Sequence, residues 1–218
     1  MERLTERSCE DFLTALASRE AVPGGGGASA LAAALGVALG NMVGNLTVGK
    51  KKYAAVEADI RALNARAETL RAALTGLVQA DAEAFAPLSR AYGLPRGTEA
   101  ERAHRAGVME AALRAACLPP LEILRRTGEA LELIADYAAK GSAIAISDAG
   151  VAAALCRGAL EGAALNVTIN TRAMADRAYA ARCDAEADAL LARYVPLAAD
   201  IYARVSTRLR PEKEDKPG

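Results

Sequence analysis

One stretch limits what this chain can fold into more than any other. Residues 21–49 contain no Asp, Glu, Lys or Arg; the stretch opens on Val22-Pro23-Gly24-Gly25-Gly26-Gly27 and ends at Gly49-Lys50-Lys51-Lys52. Four consecutive glycines do not propagate a helix. The pattern therefore predicts a loop that delivers the chain into a helix over 28–48, small and apolar on every side and hence buried. Its length permits a membrane span, but Asn41, Asn45 and Thr47 in one half, together with the abundant Gly and Ala, favour a core helix. Gly36, Gly40 and Gly44 recur every fourth residue and make a smooth stripe against which another helix can lie closely.

The remaining sequence reads as amphipathic helices. Ser8 and Asp11 resemble a capping box before a short helix ending near 19. Apolar periodicity then predicts helices over 53–92, over 98–116, from Pro119-Pro120 to about 139, over 151–167 and over 174–209. Ser147 and Asp148 read as the cap of the second nearly uncharged helix, 151–167. The expected fold class is all-α: a single-domain helical bundle over 1–210 of six to seven helices, dimeric, with the two nearly uncharged helices central, followed by a disordered polar tail over 211–218. An alanine-rich composition that is 52% hydrophobic and only 4% aromatic fits closely approaching helices. Twenty-seven basic and twenty-seven acidic residues leave no global field to recruit nucleic acid or a membrane surface. Cys9, Cys117, Cys156 and Cys183 are too dispersed for a zinc site or a disulfide framework. The charged N-terminal residues make the cytoplasm the expected compartment.

Candidate functional residues are those that contradict their surroundings. Asp81 falls where the stripe Leu70, Leu74, Leu77, Phe85, Leu88 calls for an aliphatic side chain. A buried carboxylate needs a cationic partner, donors or a cationic ligand; an ion pair with a core Arg or Lys and a functional acid are both open readings. Gly25 and Gly26 let backbone amides approach an anion, or else provide a hinge or a close helix crossing. Lys50, Lys51 and Lys52 either solvate a helix end or capture carboxylates. Asn45 and Asn166 are core hydrogen-bonders or present donors and acceptors to a heterocycle. His104, the only histidine, lies among charges and reads as surface, which argues against a His-based triad or metal site.

Pro23-Gly-Gly-Gly-Gly27 with its small-residue helix, Asn45-Leu-Thr-Val-Gly-Lys-Lys-Lys-Tyr53, Ala80-Asp-Ala-Glu-Ala-Phe85 with Tyr92-Gly-Leu-Pro95, Ser147-Asp-Ala-Gly-Val151 and Ala163-Ala-Leu-Asn-Val167 follow one another along nearly the whole chain. In these blocks the sequence resembles the cyclodeaminase and cyclohydrolase family of tetrahydrofolate enzymes. Gln79-Ala80 departs from the pattern, since many members carry acids there. The resemblance implies a helical homodimer with clefts at or near the subunit contact. It also implies one of two reactions: hydrolysis of 5,10-methenyltetrahydrofolate to 10-formyltetrahydrofolate, the favoured reading, or release of ammonia from formiminotetrahydrofolate. Asp81 is then the expected base. Gly25 and Gly26 line the cleft, Asn45, Asn166 or the turn of Ser147 and Asp148 is expected to meet the pterin, and Lys50, Lys51 and Lys52 the glutamate tail of a mono- or polyglutamylated folate. No metal, and no cofactor beyond the tetrahydrofolate substrate, is implied. A folate-binding protein without activity and a helical dimerisation module are the alternatives from other classes.

Overall fold

A computed structural model describes residues 3–210; the tail expected over 211–218 lies outside the described residues. Six α-helices make the fold: α1 (Cys9–Leu16), α2 (Gly25–Asn45), α3 (Glu57–Tyr92), α4 (Glu99–Lys140), α5 (Ile146–Ala173) and α6 (Arg177–Leu209). Short 3-10 turns at Leu4–Glu6, Lys51–Val56 and Ala143–Ala145 connect or precede them, and no strand occurs among the described residues. The two nearly uncharged helices pack side by side: α2 touches α3, α4 and α5, while α5 touches α2, α4 and α6.

Side-chain caps account for three of the six helix starts. Ser8 accepts from the Asp11 backbone N–H at 3.0 Å, and Thr98 with Glu101 forms a reciprocal capping box on α4. Asp176 caps α6 through the Tyr179 N–H and is held by Arg114 of α4.

Three expectations need correction. The helix predicted over 28–48 starts three residues earlier, at Gly25, with three of the glycines in its first turn, where a side chain at 26 has no room. The two helices expected on either side of Pro119-Pro120 are one, α4. A proline inside a helix removes the bond to the carbonyl four residues back. The carbonyl freed by Pro120 is that of Ala116, and it accepts instead from Asn170 Nδ2 of α5 at 3.1 Å. Thirdly, Ser147 and Asp148 are not a cap. The Ala143–Ala145 turn leads directly into α5, whose N-cap is Ala145, so both residues lie within its first turn, where the Asp148 carboxylate complements the helix dipole.

The glycine stripe of α2 serves two neighbours. A Cβ at Gly36 would stand 2.5 Å from Cys156 Sγ and 3.0 Å from the Ala152 carbonyl of α5, whereas Gly40 and Gly44 lie under the Tyr137 ring of α4. Helices 25–45 and 143–173 are long and apolar enough to cross a membrane, yet 61% and 50% of their most apolar windows are buried inside the bundle, as core helices are. Part of what they leave uncovered is also apolar. Leu35 and Met42 on α2, Leu46 just beyond it, and Val151, Leu165 and Ile169 on α5 are exposed, alongside Arg157, Glu161 and Arg172 of α5.

Candidate active site

The core seam of α3 runs through Ile60, Leu63, Ala67, Leu70, Leu74, Val78 and Ala82. Asp81 therefore stands at the edge of the seam rather than in its line, half-buried, and is turned toward the first turn of α2. Its carboxyl occupies the space over Gly26: a Cβ there would come within 2.5 Å of Asp81 Cγ and 2.6 Å of Oδ2. Glycine at 26 is thus required by close approach, and it is at this one position of the run that the approach is so tight. Burial raises the Asp81 pKa above the ordinary carboxylate value, opposed by the backbone N–H of Gly27, which donates to it. None of the ion pairs among the described residues includes Asp81, so the core ion pair allowed by sequence is not what the fold builds.

Around Asp81 lies a cleft of about 220 Å³, framed by the Val22 to Gly26 segment, Phe85 of α3, Pro120 of α4 and Asn166, Ile169 and Asn170 of α5. The polarity of its amides is fixed by their partners. Asn166 Nδ2 donates to the Gly162 carbonyl at 2.8 Å, and Asn170 Nδ2 donates to the carbonyls of Ala116 and Asn166 at 3.1 and 2.9 Å. Asn170 has thereby committed both amide hydrogens to backbone and presents its oxygen, whereas Asn166 has committed one and keeps the other beside its oxygen. The side chains of the cleft thus offer two amide oxygens, a carboxyl and one remaining amide hydrogen, a set rich in acceptors and without a cation, suited to a ligand that carries positive charge or N–H groups. Larger depressions, 400 Å³ between α3 and α4 and 610 Å³ beside the N-terminal segment, gather no buried titratable group.

The expected site residues divide into two groups. Gly25, Gly26, Asp81 and Asn166 meet at one end of the α2/α5 pair. Asn45 and Lys50, Lys51 and Lys52 lie at the other, since Gly26 and Asn45 are separated by most of α2, about 28 Å at 1.5 Å per residue. Ser147 and Asp148, at the start of α5, are about as far from Asn166 near its end. Of the groups expected for the pterin, Asn166 stands beside Asp81 within a single copy of the chain, and Asn45 and the turn of Ser147 and Asp148 do not. At the second end Lys50 Nζ donates to Ser142 Oγ at 3.1 Å, and the Ala143 N–H donates to Tyr53 Oη at 3.0 Å, an arrangement that lowers the Tyr53 pKa. Asn170, Asn64 and Tyr137 were missed by the sequence reading; only Asn170 left a trace there, as an amide one turn beyond Asn166.

Sequence comparison meets the geometry here. The family profile described as formiminotransferase-cyclodeaminase matches residues 8–189. The chain belongs to this family. It is similar to the methenyltetrahydrofolate cyclohydrolase of Methylorubrum extorquens, 44% identical over 92% of this chain and 96% of that protein. It is also similar to the formimidoyltransferase-cyclodeaminase of Mus musculus, 32% identical over 80% of this chain, which corresponds to only 32% of the mouse protein. Among solved structures, the formiminotetrahydrofolate cyclodeaminase of Thermotoga maritima superposes with a TM-score of 0.79 at 27% identity, covering 94% of this chain and 97% of that one. The six-helix bundle described above is thus the fold of that cyclodeaminase as well.

Proposed function

We propose that this chain hydrolyses 5,10-methenyltetrahydrofolate to 10-formyltetrahydrofolate. The observation that carries the reading is Asp81: a desolvated carboxyl over a glycine helix start, with no cation of its own, in a cleft of acceptors. Methenyltetrahydrofolate spreads a positive charge over N5, the bridging carbon and N10, and so supplies the cation this cleft lacks. Water adds to the bridging carbon while Asp81 takes one of its protons, giving a neutral carbinol. The bond from that carbon to N5 then breaks as Asp81 returns the proton to N5. The hydroxyl proton leaves, and the carbonyl of the 10-formyl group forms, so that one proton is released per turnover. A base with a raised pKa is matched to this transfer near neutral pH. The cyclohydrolase relative, matched along nearly its whole length, supports this reaction over ammonia release.

The second part of the reading is a homodimer. The cleft of about 220 Å³ is smaller than the 300–1,000 Å³ typical of small-molecule sites. Its wall also continues into the uncovered apolar face of α2 and α5, where Leu165 and Ile169 are 71% and 62% exposed. An antiparallel second copy on this face covers the apolar side chains and brings its own basic end toward Asp81 of the first. One folate then has the acceptor cleft for its pterin and cationic bridge, and Lys50, Lys51 and Lys52 of the other copy for its glutamate carboxylates.

Methenyltetrahydrofolate and formiminotetrahydrofolate, assayed side by side, test the reaction. Loss of the methenyl absorbance with formation of the 10-formyl product is expected; gain of that absorbance from the formimino substrate alone would assign ammonia release instead.

A further inference from the structure

At the basic end a chain of hydrogen bonds reaches from the core to the surface. Tyr137 of α4 is only 1% exposed, and burial pushes its hydroxyl up to about 12, so it serves as a neutral donor throughout the physiological range. That hydroxyl donates to Asn64 Oδ1 at 2.8 Å; Asn64 Nδ2 in turn donates to Asn45 Oδ1 at 2.8 Å. Glycine at 44 makes the crossing possible, since a Cβ there would meet Asn64 Oδ1 and stand 2.6 Å from Tyr137 Cε1. Each link fixes the next. The one hydroxyl proton is spent on Asn64 Oδ1, so Asn64 turns its amino group to Asn45, and exposed Asn45 must keep its oxygen inward. Its Nδ2 is left facing outward, on the same end of the bundle as Lys50, Lys51 and Lys52.

We propose that Tyr137 and Asn64 are positioning residues that hold Asn45 as a hydrogen-bond donor to a carboxylate of the ligand, making Asn45 part of the tail subsite with the three lysines and not of the pterin site. The proposal rests on the reading of the basic end as the place where the glutamate tail binds. An amide free to rotate presents oxygen or nitrogen with similar ease; the chain removes the wrong orientation, in which two oxygens would face each other.

Asn64→Asp is the informative change. It keeps the acceptor for Tyr137 but removes the donor to Asn45, so the Asn45 amide turns over and offers oxygen to the carboxylate. Tyr137→Phe releases the first link without adding charge and serves as the second variant. The dissociation constants of tetrahydrofolate and of tetrahydropteroate, which lacks the glutamate, are measured by titration calorimetry for the wild type and both variants, with turnover of methenyltetrahydrofolate alongside. The wild type is expected to favour tetrahydrofolate. Both variants should lose about tenfold of that preference, the loss of one charge-assisted hydrogen bond, with tetrahydropteroate binding and kcat within about twofold of wild type. A wild type that binds the two ligands equally overturns the tail reading and the proposal with it. Preference retained in both variants overturns the positioning role while leaving the tail reading intact. Equal weakening of both ligands also overturns it, as a merely structural effect. Absence of turnover in a wild type that discriminates the ligands counts against the hydrolase reading alone.

Discussion

Replacing Gly26 with alanine separates what the glycine start does for folding from what it does for chemistry. The added methyl falls 2.5 to 2.6 Å from Asp81 Cγ and Oδ2, where ordinary contacts begin near 3.4 Å, so the carboxyl must retreat by about 1 Å or turn to another rotamer. Retreat gives up the hydrogen bond from the Gly27 N–H, worth about 1 to 2 kcal/mol. Alanine in place of glycine in a helix returns about 0.5 to 1 kcal/mol. The two nearly cancel, and thermal stability should change little, by roughly 1 kcal/mol or less. The cost to activity is larger, because a base displaced by about 1 Å loses on the order of 100-fold, equivalent to about 2.7 kcal/mol in the barrier. The control is Gly27→Ala, whose methyl finds Val78 O at 3.5 Å and Val78 Cγ1 at 3.7 Å, ordinary contacts, and which should keep near wild-type rates. Continuous loss of methenyl absorbance gives kcat/KM for both, and a thermal melt gives their stability. Wild-type kcat/KM in a folded Gly26→Ala protein would refute the claim that the closeness of Asp81 to the α2 start matters to catalysis.

Because burial raises the Asp81 pKa, the base is the deprotonated form over a narrower range. The acid limb of kcat/KM should therefore fall at a pH above the ordinary carboxylate value of about 3.9, and a limb at or below that value would contradict the assignment. The same shift works against folding: the penalty appears as pH rises past the unfolded pKa and is complete above the raised folded one. Asp81→Asn should consequently gain stability relative to wild type at neutral pH and lose that advantage in acid, as melts across pH will show. Lys51→Ala and Lys52→Ala should raise KM several-fold for the glutamate-bearing substrate, with kcat preserved, in paired steady-state assays at low and high salt; a fall in kcat alone would contradict tail binding. Leu165→Glu places a charge on the apolar α5 face and should convert a dimer to a monomer in light scattering, with loss of activity; a fully active monomer would remove the two-copy site.

The helical class and the central position of α2 and α5 were legible because absence of charge over 21–49 and 151–156 favours burial within the bundle, where 61% and 50% of the most apolar windows lie. Asp81 was legible for a related reason, as a charge beside an aliphatic series. The Pro119-Pro120 pair misled because its consequence is tertiary. A proline pair reads as a break until a neighbouring amide, here Asn170, takes the carbonyl that Pro120 leaves free. Ser147 and Asp148 have the composition of a cap, but the preceding 3-10 turn already delivers the backbone into α5. Grouping Asn45 with Asp81 failed on length, since sequence shows that both are polar intrusions but not that most of α2 separates them. Asn64 and Tyr137 carried no signal because each is an ordinary residue for a long helix until the other stands above Gly44.

Asp81→Asn, assayed with 5,10-methenyltetrahydrofolate at neutral pH, is the most direct measurement. The amide keeps the shape over Gly26 and removes the charge, so hydrolysis should fall by on the order of 100-fold or more while the melting temperature holds or rises. Hydrolysis at the wild-type rate by a folded Asp81→Asn protein would show that the carboxyl is not the base.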